Sequence, residues 1–79
     1  MKAFDFNING VDLISGKKFA SDKDMIRWTE DVLKNTPQEA EVIVSITVTD
    51  RITPSHFIKY KFLSCKSENG KTTVSHTKF

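Results

Sequence analysis

The sequence predicts a two-layer α+β domain, in which one helix packs on a four-stranded, mostly antiparallel sheet. A fifth strand joins if a short early segment pairs back. Three observations predict this class. Residues 40–62 run as two period-two segments, Ala-Glu-Val-Ile-Val-Ser-Ile-Thr-Val-Thr and His-Phe-Ile-Lys-Tyr-Lys-Phe, around a short polar connection. Residues 22–35 carry apolar side chains at helical spacing behind a serine suited to cap them. Two Asn-Gly pairs, 9–10 and 69–70, mark tight hairpins, because both residue types tolerate positive φ. The expected order is strand, short strand, helix, then a three-strand meander, all within one domain spanning residues 1–79.

The first strand is expected at Phe4–Ile8, where Phe4, Phe6 and Ile8 alternate with Asp5 and Asn7. After Asn9-Gly10, Val11–Ile14 returns as the short strand and Ser15-Gly16 interrupts it; the alternative is an irregular crossing over residues 9–19. Ser21 is the expected N-cap. Asp22 and Asp24 sit at the positive end of the helix dipole, and Asp24 approximates a capping box. Met25, Ile26, Trp28, Thr29, Val32 and Leu33 form one stripe, with Lys23, Asp24, Arg27, Glu30, Asp31 and Lys34 opposite. Lys34 follows Glu30 by one helical turn, in the order that favours an ion pair. Asn35-Thr36-Pro37 is expected to stop the helix, since proline breaks the ladder and restricts the residue before it.

The meander begins with Ala40–Thr49. Ala40, Val42, Val44, Ile46 and Val48 share one face, and Glu41, Ile43, Ser45, Thr47 and Thr49 the other. Asp50–Ser55 is short enough to make the next strand, His56–Lys66, an antiparallel neighbour. Alternation sends Ile58, Tyr60 and Phe62 to the core and Phe57, Lys59, Lys61, Leu63 and Cys65 outward. Glu68-Asn69-Gly70-Lys71 then turns the chain into a last strand, Lys71–Thr77. A strict two-residue turn sets Cys65 opposite Val74 and Leu63 opposite His76, which leaves Val74 on the outward face. Either a bulge flips the face after Phe62, or Ile43, Phe57, Leu63, Cys65 and Val74 form an apolar patch, as a binding surface would. The expected core is Phe4, Phe6, Ile8, Phe19, Met25, Trp28, Val32, Leu33, Val42, Val44, Ile46, Ile58, Tyr60 and Phe62.

A chain of 79 residues buries only about 60% of its unfolded surface, so its core is small and a deep catalytic pocket would consume much of it. Cys65 is the single cysteine, which excludes an intramolecular disulfide and a multi-thiolate zinc site, and fits a reducing compartment. The first residues alternate from the start, without the apolar run of a signal peptide, and no stretch reaches the ~20 apolar residues of a membrane span. The expectation is a cytoplasmic protein with no membrane partner. Its oligomeric state is not legible.

The net charge of +2 is unevenly spread. Lys23, Arg27 and Lys34 stand against Asp24, Glu30, Asp31, Glu39 and Glu41 in the helical part. Arg51, Lys59, Lys61, Lys66, Lys71 and Lys78 stand against Asp50 and Glu68 in the meander. An acidic helix half and a basic sheet half follow, and the basic half would steer an acidic partner.

No catalytic, cofactor or metal set is legible. His56 and His76 lie far from any acidic cluster, and Asp5, Asp12, Asp50 and Glu68 are scattered over turns and ends. Cys65 becomes a nucleophile only with a base beside it; the two-residue turn would bring His76 diagonally near. Ile14-Ser15-Gly16-Lys17-Lys18 has only the tail of a phosphate loop. Trp28, at the edge of the helical stripe, either packs on the sheet or anchors an interface.

The expectation is therefore a non-catalytic protein-interaction module whose binding surface is Phe57, Lys59, Lys61 and Leu63, two apolar residues around two steering charges. Phe57 interleaved with lysines is also a weak version of a base-stacking, phosphate-pairing strand, so a nucleic-acid-binding protein is the alternative. A subunit of a larger assembly is a third reading. In size and style alone, the chain resembles small single-domain proteins of phages and mobile elements, among them inhibitors of host nucleases and CRISPR complexes. That resemblance implies inhibition of a larger host complex.

Overall fold

The computed structural model describes residues 1–36, 38–48, 52 and 55–79, apart from the side chains of residues 47, 48, 55 and 56. The expected helix stop at Pro37, the expected strand end at Thr49 and most of the Asp50–Ser55 connection lie outside the described residues. The elements are β1 (Lys2–Ile8), β2 (Val11–Phe19), α1 (Asp22–Lys34), β3 (Glu41–Val48), β4 (Ser55–Lys66) and β5 (Thr72–Lys78). They form one five-stranded antiparallel sheet in the order β2-β1-β3-β4-β5, with the helix on one face. The fold is α+β, with five strands. No helix among the described residues is long and apolar enough to cross a membrane.

The β1–β2 hairpin forms as its turn dictates. Asn9 and Gly10 both take positive φ, 52° and 86°, and Ile8 pairs directly with Val11. The returning strand is much longer than Val11–Ile14. Ser15-Gly16 does not interrupt it, because Asp5 holds these residues as a bulge. The Asp5 carboxylate accepts from the Ser15 hydroxyl (3.2 Å) and the Gly16 amide (2.8 Å), where the β1–β2 register shifts. A second shift falls between Phe6 and Asn7.

Ser21 caps α1, accepting from the Asp24 amide at 3.3 Å. Met25, Thr29 and Leu33 form its buried line, and the Thr29 hydroxyl is satisfied by the Met25 carbonyl at 2.9 Å. Glu30 does not pair with Lys34; it lies 3.6 Å from Nδ1 of His76 on β5. With that flank reaching towards β5, the opposite flank at Trp28 and Val32 stands beside an open cleft over β1 and β2. Val32, expected in the core, is therefore 40% exposed.

The core is Phe4, Phe6, Met25, Leu33, Ala40, Val42, Val44, Tyr60 and Phe62. Ile8, Ile14, Phe19, Ile26, Trp28 and Val74 close its margins while half-buried. Trp28 packs on Phe6 (5.3 Å between ring centroids) and Phe19 (5.7 Å), with the Lys17 ammonium 4.8 Å over its ring. Besides Val32, two further expected members are displaced: Ile46 is half-buried, and Ile58 is 53% exposed.

The turn after β4 settles the last strand. Gly70 donates to the Ser67 carbonyl (3.0 Å) and Ser67 to the Lys71 carbonyl (2.8 Å), with Gly70 at φ 83°. This is a three-residue loop with a glycine bulge, one residue longer than the Asn-Gly hairpin expected there. The extra residue shifts every pair: Ser64 faces Val74 and Leu63 faces Ser75. Val74 joins the core margin on the helix side. His76 stacks on Phe62 at 5.4 Å, on the opposite face from exposed Cys65, so the expected His76–Cys65 proximity does not form.

Candidate functional site

β3 and β4 are longer than the strands that flank them. β1 pairs with β3 only from Val42 to Ser45. β5 pairs with β4 only from Tyr60 to Lys66, with one further bond from the Phe79 amide to the Lys59 carbonyl (2.9 Å). Beyond these limits, among the described residues, Ile46–Val48 and Ser55–Phe57 pair only with each other, and Ile58, opposite Ser45, stands at their base. The result is a two-stranded ribbon projecting from the sheet, in a molecule whose longest extent is 51 Å against 24 and 20 Å.

A bulge sits at the base of the ribbon. Val44 pairs with Tyr60 but Ser45 with Ile58, so Lys59 is one extra residue in β4. Lys59 and Tyr60 both turn towards the start of α1, where Asp22 receives them: Lys59 Nζ at 3.1 Å and the donating Tyr60 hydroxyl at 3.2 Å. Lys2 Nζ reaches the other carboxylate oxygen at 3.2 Å. Asp22 also stands in the first turn of the helix, where the dipole favours its charge. Burial pushes its pKa up, but Lys59, Lys2 and the Tyr60 hydroxyl together hold it below the ordinary value. The same contact raises the Tyr60 pKa, through burial and then the adjacent carboxylate charge. This clip of Asp22, Lys59, Tyr60 and Lys2 ties helix, strand and amino end together.

The bulge exchanges faces for every residue before it. Phe57 now lies opposite Ile46, on the helix side but past the first turn of α1, and is 48% exposed. Ile58 lies opposite Ser45 on the outward side. The ribbon thus shows apolar side chains on both faces. Exposed Phe79 stands beside its base, and Ile52, in the connection beyond, is fully exposed.

The expected binding face does not assemble. Lys61 and Leu63 do point outward; Lys59 is drawn to Asp22 on the helix side, and Phe57 is turned to the side of Ile46. Lys61 is itself paired with Glu41 at 3.5 Å. The outward face near them holds Asp5, Asp12, Ser15 and buried Ser45. Phe57 and Lys59 lie on the helix side and Lys61 on the outward side, so the interleaved aromatic and lysines of a base-stacking strand do not share one face. Among the described residues, no group of three or more His, Cys, Asp or Glu side chains could hold a metal ion.

A second apolar surface lies beside the helix. Phe6, Ile8, Ile14, Trp28, Val32 and Leu33 line a cleft whose walls are almost wholly apolar, and Val11 and Leu13 are exposed on the nearby edge strand. Its only visible polar groups are Thr29 and Thr36, and their hydroxyls are spent on the Met25 and Val32 carbonyls.

No family model matches this chain, and no characterised protein or solved structure shows significant similarity to it.

The ribbon is the feature that alternation alone misses. The sequence signalled one irregularity, Val74 falling on the outward face under a two-residue turn, which left open a bulge after Phe62 or an outward apolar patch; the extra residue lies instead in the Ser67–Lys71 turn. Nothing local in Ile58-Lys59-Tyr60 marks the second insertion.

Proposed function

We propose that this chain is a small, non-catalytic protein-interaction module that engages a partner through the β3–β4 ribbon. The observation that carries this reading is the exposure of Phe57 and Ile58 on opposite faces of β4, at and just beyond the point where β1 and β5 stop pairing and where, among the described residues, no further strand extends the sheet. Isolated two-stranded ribbons are marginal in water, and apolar side chains on both faces add a hydration cost that docking removes. An aromatic and a branched aliphatic side chain on a narrow projection also suit insertion into a partner's cleft. Lys59 and Lys2 at its base are both held by Asp22, so apolar contact outweighs ionic attraction in the reading. Inhibition of a larger host complex, which the resemblance in size and style to small phage and mobile-element proteins implies, is compatible with such a wedge.

The test compares capture from an extract of the native cell by wild type, by Phe57→Ser/Ile58→Ser and by Lys61→Ala, with and without nuclease. One stoichiometric protein partner should survive nuclease and high salt. It should be lost at least about tenfold with the ribbon variant and kept with Lys61→Ala. Loss of all partners on nuclease treatment, with a steep salt dependence, would instead favour the nucleic-acid reading. Equal capture by the ribbon variant, shown folded by its thermal transition, overturns the choice of surface.

A further inference from the structure

The two edges of the sheet are built differently. The β2 edge is broken twice by register shifts and carries Gly16 at φ 70°. Bulges of this kind blunt an edge against pairing with another chain. The β5 edge has none of this protection. Thr72–Lys78 pairs with β4 in unbroken register, without proline or bulge, and its one charged residue is the last.

The hydrogen-bond phase of β5 shows which groups are open. The bonds Ser67 N–H to Lys71 C=O and Phe79 N–H to Lys59 C=O bracket the ladder. Alternation between them makes Cys65–Thr73, Leu63–Ser75 and Lys61–Thr77 the hydrogen-bonded pairs. Thr73, Ser75 and Thr77 therefore spend their backbone groups on β4. Thr72, Val74, His76 and Lys78 point theirs away from the sheet, and among the described residues no strand receives them.

From this edge we infer a second interaction surface, independent of the ribbon: β5 pairs antiparallel with β5 of a second copy, about a two-fold axis through Ser75. The strand is self-complementary in that register alone. Thr72 meets Lys78 of the other copy and Val74 meets His76, so all four open residues form hydrogen-bonded pairs, each exchanging two bonds. Between them Thr73 meets Thr77, and Ser75 meets its own counterpart. No like charges oppose one another, and the outward face becomes a Thr/Ser ladder, a favourable cross-strand set. Shifting the axis to Val74 or to His76 shortens the pairing; at His76 it also sets two imidazoles face to face. The pairing is isologous, so it closes at two copies, and it continues one sheet with both helices on the same face. Each copy adds one strand's worth of bonds and little apolar area, which makes the association a weak one, on the order of micromolar or above.

Ser75 supplies the test, because its side chain is exposed and points outward, so changing it leaves the monomer intact. Wild type, Ser75→Lys, Ser75→Glu and an equimolar mixture of the two variants are compared by sedimentation over about 5 to about 500 μM. Amide hydrogen exchange is followed over the same range. Wild type should dimerise, with concentration-dependent protection at Val74 and His76. Each variant alone should weaken the dimer at least about tenfold, because two like charges then face each other across the non-hydrogen-bonded pair. The mixture should recover it as a heterodimer. A chain monomeric throughout the range overturns the proposal. So does a dimer indifferent to Ser75→Lys, or one that leaves the 74 and 76 amides unprotected.

Discussion

The same two strands behave in opposite ways on the two sides of Lys59. Towards the helix, Val42, Val44, Tyr60 and Phe62 are buried to within a few per cent. Beyond the bulge, Ile46, Phe57 and Ile58 are as apolar and follow the same alternating pattern, yet Ile46 is only half-buried and Phe57 and Ile58 are 48% and 53% exposed. Composition does not separate the halves. What separates them is cover: α1 begins at Asp22, level with Tyr60, and β1 and β5 both stop pairing there. Apolar residues in this chain are buried where a second layer exists to receive them.

The largest break in that comparison should come from truncating one aromatic in each half. Phe62→Ala removes a fully buried ring from the centre of the core and should cost about 3–5 kcal/mol, much of so small a domain's stability. Phe57→Ala should cost no more than about 1 kcal/mol, because its ring stays largely in water in the free protein. Urea denaturation of both variants measures the difference. Equal losses would mean that the ribbon is covered in solution.

A smaller effect should follow from Asp22→Asn, which dismantles the clip at the boundary. Two ammonium groups and a phenol lose a charged acceptor, at a cost of about 1–2 kcal/mol given the partial exposure of Lys2. The sign with pH is fixed by the lowered carboxyl pKa. The folded state holds this proton less tightly than the unfolded state, so the contribution is full above the ordinary value of 3.8. It disappears as pH falls through the lower folded value. The gap in stability between wild type and Asp22→Asn should therefore be widest near neutrality and close in acid. A gap independent of pH would show that the carboxylate charge is not what holds the clip.

The smallest effect should come from Gly70→Ala. A methyl group there meets nothing within 4 Å, so the cost is conformational, about 1 kcal/mol for φ 83°. Because the glycine bulge sets the β5 register, hydrogen exchange should show the loss at the β4–β5 turn and not in β1 or α1. Uniform loss across the sheet would mean that the turn is coupled to the whole fold.

Much of the architecture is legible in the amino-acid sequence. Ser21 and the 3.6-residue stripe specify α1 to within a residue of its end, and Asn9-Gly10 specifies the first hairpin down to the Ile8–Val11 pair. Val42, Val44, Tyr60 and Phe62 follow from alternation and are all buried. The candidate surface was legible only in part. Lys61 and Leu63 point outward as alternation requires, whereas Phe57, Lys59 and Ile58 occupy other faces than expected, and Val74, whose face alternation left open, lies at the core margin. The physical reason is parity. A strand's faces are known only until one residue is inserted, and each insertion reverses everything on one side of it. The sequence by itself determined the helix, the strands and the apolar content of each. Where the extra residues fall was decided by contacts distant in the chain. The Asp22 carboxylate gathers Lys59 and Tyr60 on one side of β4, and Asp5 holds Ser15-Gly16 against β1. These contacts choose the faces on β2 and in the first half of β4, whereas on β5 the local turn at Ser67–Lys71 does so.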